Sequence, residues 1–104
     1  MKQIKTNEEL NDVIKGGGLH VIKVGAQWCA PCKMLEKTIT EIEPTLEDVH
    51  FYEIDVDDVD ERIIEKFGIQ NVPVILFFND GLQVDRVVGA RGRKDLMELI
   101  EKNR

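Results

Sequence analysis

Hydrophobic and polar positions alternate along this chain with two periods, and the switches between them outline its elements. Leu10, Val13 and Ile14 follow at helical spacing behind the capping-box pair Thr6 and Glu9, which predicts a first helix ending at the triplet Gly16 to Gly18. Residues 19 to 24, LHVIKV, are apolar and β-branched enough for a buried strand. From Pro31 to about Leu46, Leu35, Ile39 and Ile42 recur at helical spacing, with Pro44 expected to bend or shorten the end. Residues 49 to 56, VHFYEIDV, alternate as a strand does, and Val59, Ile63 and Phe67 then mark one helical stripe closed by Gly68. Val74 to Phe78 and Leu82 to Val88 flank Asn79-Asp80-Gly81, whose Asp-Gly pair signals an antiparallel hairpin. A last helix bears Leu96, Leu99 and Ile100 on one side, and the first residues, around Ile4, offer an edge strand. The order βαβ, hairpin, helix predicts an α/β domain with a mixed sheet and helices on both faces.

Composition narrows what such a domain does. The chain has 104 residues, 42% hydrophobic and 33% charged, with no repeat, linker or low-complexity tract, so one globular domain over 1–104 is expected. The segment MKQIKTNEEL is too polar for a signal peptide or membrane span, and the reading is a cytoplasmic protein without a membrane partner. A formal net charge of -6 argues against general nucleic-acid affinity, which needs an excess of Lys and Arg.

The chemistry-bearing stretch is GAQWCAPCKM, residues 25 to 34, which holds both cysteines of the chain, Cys29 and Cys32. The pair has three readings: half of a zinc site, inert thiols, or a redox couple. Zinc needs four ligands, and the other good candidates, His20 and His50, fall near the starts of their strands while Cys29 lies beyond the far end of one. A strand of about five residues spans roughly 17 Å, so neither histidine is expected to reach the thiols. Inert thiols fit the location poorly, because the pair sits where a parallel strand gives way to a helix, the place where open α/β sheets build sites. Just ahead of the helix N-terminus, Cys29 would meet unpaired N–H groups and the positive end of the dipole, which favour an anionic sulfur. Cys32, one turn further in, would be more buried and less acidic. Cys29 is therefore expected to attack a substrate disulfide, and Cys32 to resolve the mixed disulfide. Pro31 suits the first turn, where its missing N–H costs nothing.

Several spaced motifs agree with this reading. W-C-A-P-C-K-M after an apolar strand resembles the W-C-G-P-C-K hallmark of the thioredoxin family. Residues Tyr52 to Asp57 resemble that family's next strand, FGIQNVPVILFF its following region, Asn79-Asp80-Gly81 its hairpin turn, and Val88-Gly89-Ala90 its closing V-G-A. The resemblance covers nearly the whole chain. It implies a sheet flanked by four helices and a general protein-disulfide reductase that cycles its own Cys29–Cys32 disulfide with no other cofactor and no metal. It also implies disulfide-containing substrate proteins as partners, with a thioredoxin reductase or equivalent donor, and the expected state is a monomer. A substrate groove is implied, with Trp28, Ala30 and Pro31 as one wall, Val72 and Pro73 as another and Gly89 with Ala90 as a third. In the family the proline matching Pro73 is cis and the backbone before it pairs with an extended substrate; without the resemblance an ordinary trans proline would be preferred. Plainer readings also exist for Trp28, as a core aromatic, and for Gly89, as a strand-end breaker.

The chain departs from the family pattern just upstream of the cysteines. Lys23 stands where thioredoxins typically carry a buried aspartate associated with the proton of the inner thiol, and Gly25 where they often have an aromatic. A lysine inside VIKV needs a partner, since an unpaired buried ammonium is costly. Glu53 occupies a position where the family often has lysine, so the two charges are expected to have exchanged places, with Lys23 favouring the thiolate and Glu53 carrying the proton. The other reading has Lys23 reaching solvent while Glu53 points outward independently. Ala30, in place of the usual glycine, bears on the reduction potential and not on the reaction. Arg86, Arg91, Arg93 and Lys94 gather near Gly89 and read as a solvated face or a greeting for an acidic partner. Asp55, Asp57, Asp58, Asp60 and Glu61 lack the spacing of a calcium loop and suit the start of the third helix. Two rival functions remain: the same chemistry as a specialised reductase, oxidant or isomerase, and a binding module for which the dithiol is dispensable.

Overall fold

The computed structural model describes residues 1 to 104, and its first helix begins where the sequence places a cap. Thr6 is extended, and its Oγ1 accepts the Glu9 backbone N–H at 3.1 Å, opening α1 (Asn7–Lys15). The Glu9 carboxylate does not reach back to the Thr6 backbone as a full capping box would; it accepts the Thr6 hydroxyl at 3.2 Å instead. The elements that follow are β2 (Leu19–Gly25), α2 (Ala30–Ile42), β3 (Val49–Asp55), α3 (Glu61–Phe67), β4 (Val74–Asn79), β5 (Leu82–Val88) and α4 (Arg93–Lys102), with a two-residue β1 (Lys2–Gln3) ahead of α1. Their order in the sheet is β1-β3-β2-β4-β5. Strands β1, β3 and β2 run parallel, β4 is antiparallel to β2, and β5 is antiparallel to β4. This is the expected mixed sheet flanked by four helices.

Two boundaries differ from the sequence reading. Helix α2 stops at Ile42, and Glu43–Thr45 continue as one turn of 3-10 helix, because Pro44 has no N–H to donate into the α-helical ladder. Helix α3 starts only at Glu61, behind Asp60 as the cap, whose carboxylate accepts the Arg62 N–H at 3.0 Å. Val59 therefore lies before the helix, although it still packs against the core beside Ile63 and Phe67. The hairpin turn is as expected: Asp80 and Gly81 both have positive φ, 51° and 85°, and the pair Asn79 and Leu82 face each other across it.

Strand β2 is buried along its whole length, and its alternation sorts two cores. Leu19 and Val21 face Leu35, Ile39 and Ile42 of α2 and Leu96 and Ile100 of α4, while Ile22 and Val24 face Leu10 of α1 and Ile63 and Phe67 of α3. Each such fully buried side chain contributes about 2 kcal/mol relative to exposure. By the same alternation Lys23 belongs to the α2 side, at the end of β2 where α2 begins. That placement brings a charged residue to the cysteines.

Candidate active site

Helix α2 needs a cap, and a cysteine supplies it. Cys29 is extended, with φ -96° and ψ 109°, and its Sγ accepts the Cys32 backbone N–H at 3.3 Å. A sulfur held in this way at a helix N-terminus is stabilised as an anion by the N–H dipoles aimed at it. Pro31 sits in the first turn, where no N–H is required. Cys29 and Cys32 form a disulfide with their Cα atoms 5.3 Å apart. Cys29 is the outer member at 5% exposed and Cys32 the inner one at 0%.

On the front of the disulfide the chain builds an apolar rim. Trp28 is not a core aromatic: it is 71% exposed, and its indole N–H donates to Asp57 Oδ2 at 2.8 Å. Opposite it, the Val72 carbonyl oxygen lies 3.8 Å from Cys29 Sγ, and the Val72–Pro73 bond is cis, which settles the choice between the two isomers. Gly89, at φ 95°, donates its N–H to the Pro73 carbonyl at 2.8 Å, so it is tied to the cis-proline rather than merely ending β5; Ala90 follows on the surface. A cleft of about 290 Å³ lies between Trp28 and Val72, floored by Val56, Ile64 and Ile69. Ile69 and Asp57 were not singled out in the sequence. Asp57 was hidden among the acids assigned to the start of α3, of which Asp60 does cap that helix, whereas Asp55 accepts the Asp57 N–H and Asp58 pairs with Lys5 at 3.0 Å.

Behind the disulfide the surroundings are charged. Lys23 is buried, with its side chain 6% exposed, and its Nζ lies 3.5 Å from Glu53 Oε2. The two residues are register partners on β2 and β3, so the pairing expected from the sequence is present and the reading with Lys23 free in solvent is overturned. A second carboxylate is also there: Glu36 Oε2 stands 3.7 Å from the same Nζ. Glu36 follows Cys32 by four residues on α2, so both project to one face of the helix. Two carboxylates around one ammonium offset the cost of taking that charge out of water. The histidines are elsewhere: His20 and His50 stack with centroids 4.9 Å apart near the starts of β2 and β3, at the end of the sheet away from the cysteines.

A family model described as Thioredoxin matches residues 2–102. The chain belongs to the thioredoxin family. It is 34% identical over 103 residues to the thioredoxin of Chlamydia muridarum, covering 99% of each chain. It is 35% identical over 89 residues to Thioredoxin-2 of Saccharomyces cerevisiae, covering 85% of each. The X-ray structure of Fasciola hepatica thioredoxin superposes with a TM-score of 0.91 at 30% identity, over 100% of both chains. Thioredoxins are protein thiol–disulfide oxidoreductases that work through their own disulfide, and with its Cys29–Cys32 pair this chain is one. None of its helices is long and apolar enough to cross a membrane.

Beside that thioredoxin site, the basic residues near Gly89 do not make one patch. Arg86 turns away to donate to the Phe67 carbonyl, and at 3.2 Å to the Gly68 carbonyl, closing the C-terminus of α3. Arg91 donates instead to the Val88 and Ala90 carbonyls at 3.2 and 3.1 Å, which holds the loop after β5.

Proposed function

We propose that the protein is a general protein-disulfide reductase in which Cys29 is the nucleophile and Cys32 the resolving thiol. The observation that carries this reading is the Cys29 sulfur at the α2 cap, accepting the Cys32 N–H and standing 3.8 Å from the Val72 carbonyl beside the exposed Trp28. A substrate segment lies extended along Val72 and Pro73, with Trp28, Ala30, Gly89 and Ala90 as the remaining walls. The Cys29 thiolate attacks a substrate sulfur; the substrate disulfide breaks, a mixed disulfide forms and one substrate thiolate leaves. Cys32 gives up its proton and attacks Cys29 Sγ, which breaks the mixed disulfide, closes the Cys29–Cys32 bond and releases the second substrate thiolate. Two thiols are oxidised and two are formed. A thioredoxin reductase or an equivalent donor returns the two electrons.

Lys23 favours the thiolate form of the pair, because a cation nearby stabilises the charged sulfur, and Glu53 is the partner that holds Lys23 from β3. Ala30 and Pro31 between the cysteines bear on the potential. The unit is one monomeric domain of residues 1–104 serving as an electron carrier in the cytoplasm, where a reducing environment keeps the dithiol charged.

Insulin reduction coupled to a thioredoxin reductase tests this directly. Wild-type protein should precipitate reduced insulin, and Cys29→Ser should not. Full biological activity of Cys29→Ser would instead make the protein a binding module, and a potential more oxidising than that of glutathione would reverse the direction of electron flow.

A further inference from the structure

A side chain at position 25 would be crowded. A Cβ built there would lie 3.1 Å from Cys32 Sγ, 3.2 Å from Cys32 Cβ and 3.2 Å from Lys23 Cε. The inner sulfur and the lysine stem therefore both border the space a side chain would take. From that space a cleft of about 430 Å³ opens to solvent, lined by Gln3 from β1, Lys23 from β2, Glu53 and Asp55 from β3, and Lys33 and Glu36 from α2. It shares no lining residue with the apolar cleft between Trp28 and Val72.

Resolution poses a problem that this second opening answers. Cys32 is 0% exposed, so its proton must leave through the protein, and it must do so while a substrate joined to Cys29 covers the front. We propose that the rear cleft is the proton port of the resolving step, with Glu36 as the carboxylate that carries the Cys32 proton to water and Gly25 as the residue that keeps the port open. The inference rests on the assignment of Cys29 as nucleophile and Cys32 as resolving thiol. Glu36 suits the task by place and exposure: it lies one turn beyond Cys32 on α2, its side chain is 52% exposed against 21% for Glu53, and its Oε2 is held 3.7 Å from the buried Lys23 Nζ. Lys23 acts as a positioning residue, lowering the cost of a Cys32 thiolate and holding both carboxylates beside it. The step balances: the proton passes from Cys32 through Glu36 to solvent, the Cys32 thiolate donates its electron pair to Cys29 Sγ, and the bond pair of the mixed disulfide leaves with the substrate sulfur.

Stopped-flow mixing of the reduced protein with 5,5′-dithiobis(2-nitrobenzoate) separates the two steps, because each releases one coloured aryl thiolate. The first release depends on reagent concentration and reports Cys29; the second does not and reports Cys32. In Glu36→Gln, whose site is half-exposed and tolerant, the second phase should slow about 10²-fold on the acid side, the low end of what a positioned proton carrier contributes. The first phase should be unchanged, and Glu36→Asp should recover part of the loss. Lys23→Met should move the midpoint of the second-phase pH profile upward. A second phase in Glu36→Gln identical to wild type at every pH, or both phases slowed alike, overturns the port while leaving the cysteine roles intact. Failure of the wild-type protein to release a second equivalent overturns the cysteine roles and the port together.

Discussion

The front of the Cys29–Cys32 pair is apolar and the rear is charged, and both come from the same short stretch of chain. At the front, Trp28 and Val72 leave hydrocarbon and one free carbonyl beside Cys29. At the rear, Gly25 and Lys23 on β2, Glu53 on β3 and Glu36 on α2 gather charge beside Cys32. In the proposed mechanism the outer sulfur meets a protein at the front, and the inner one exchanges its proton with water at the rear. A disulfide reductase needs both, because the two thiols act in turn and only the first is in contact with substrate.

Perturbing each side separately should break this division in different ways. The largest effect belongs to the outer sulfur: Cys29→Ser should lower insulin reduction by about 10³-fold or more, since removing a nucleophile removes the steps that depend on it. Next comes closure of the rear. Gly25→Val must displace Cys32 or Lys23 and should cost about 2 kcal/mol of stability, as overpacking does. Thermal unfolding would show a Tm lower by about 10 °C. A front-side change is smaller and purely kinetic. Trp28→Ala, at a residue with little packing to lose, should raise KM for a protein disulfide about tenfold, or about 1.4 kcal/mol, and leave the rate with a small aryl disulfide unchanged.

The smallest effect is a control away from both sides. The Asn103 side chain donates to Asp85 Oδ2 at 2.9 Å and, with the Arg86 N–H and Lys102, holds the Asp85 carboxyl below its ordinary value of 3.8. A carboxyl with a lowered folded value stabilises fully above its ordinary value and loses that contribution as pH falls through the lowered one. Asp85→Asn should therefore cost about 1 kcal/mol near neutral pH, with the gap to wild type closing below about pH 4, and neither thiol phase should change. Denaturant titration at several pH values checks it.

How much of this was legible beforehand depended on the range of the interactions. Helices and strands were written in local periodicity, and the cap at Thr6 and the Asp80-Gly81 turn in local chemistry, so they could be placed to within a few residues. The end of α2 needed only Pro44. That Lys23 needed a partner could be read from a charge inside an apolar strand, and the family resemblance pointed to Glu53 as that partner. Glu36 could not be found, although its spacing from Cys32 was in plain view: that spacing matters only once α2 is known to lie over Lys23. Asp57 was lost among neighbouring acids for the same reason, since its partner Trp28 is far away in sequence. Arg86 read as part of a basic patch because nothing local shows that it reaches the α3 carbonyls.

The order in which the two sulfurs act is the central claim, and covalent trapping tests it most directly. Cys32→Ser mixed with a disulfide-bonded protein and examined by intact mass should accumulate one mixed disulfide through Cys29, while Cys29→Ser should accumulate none. An adduct that forms through Cys32 in Cys29→Ser, with no adduct in Cys32→Ser, would reverse the roles of the two cysteines and contradict the account.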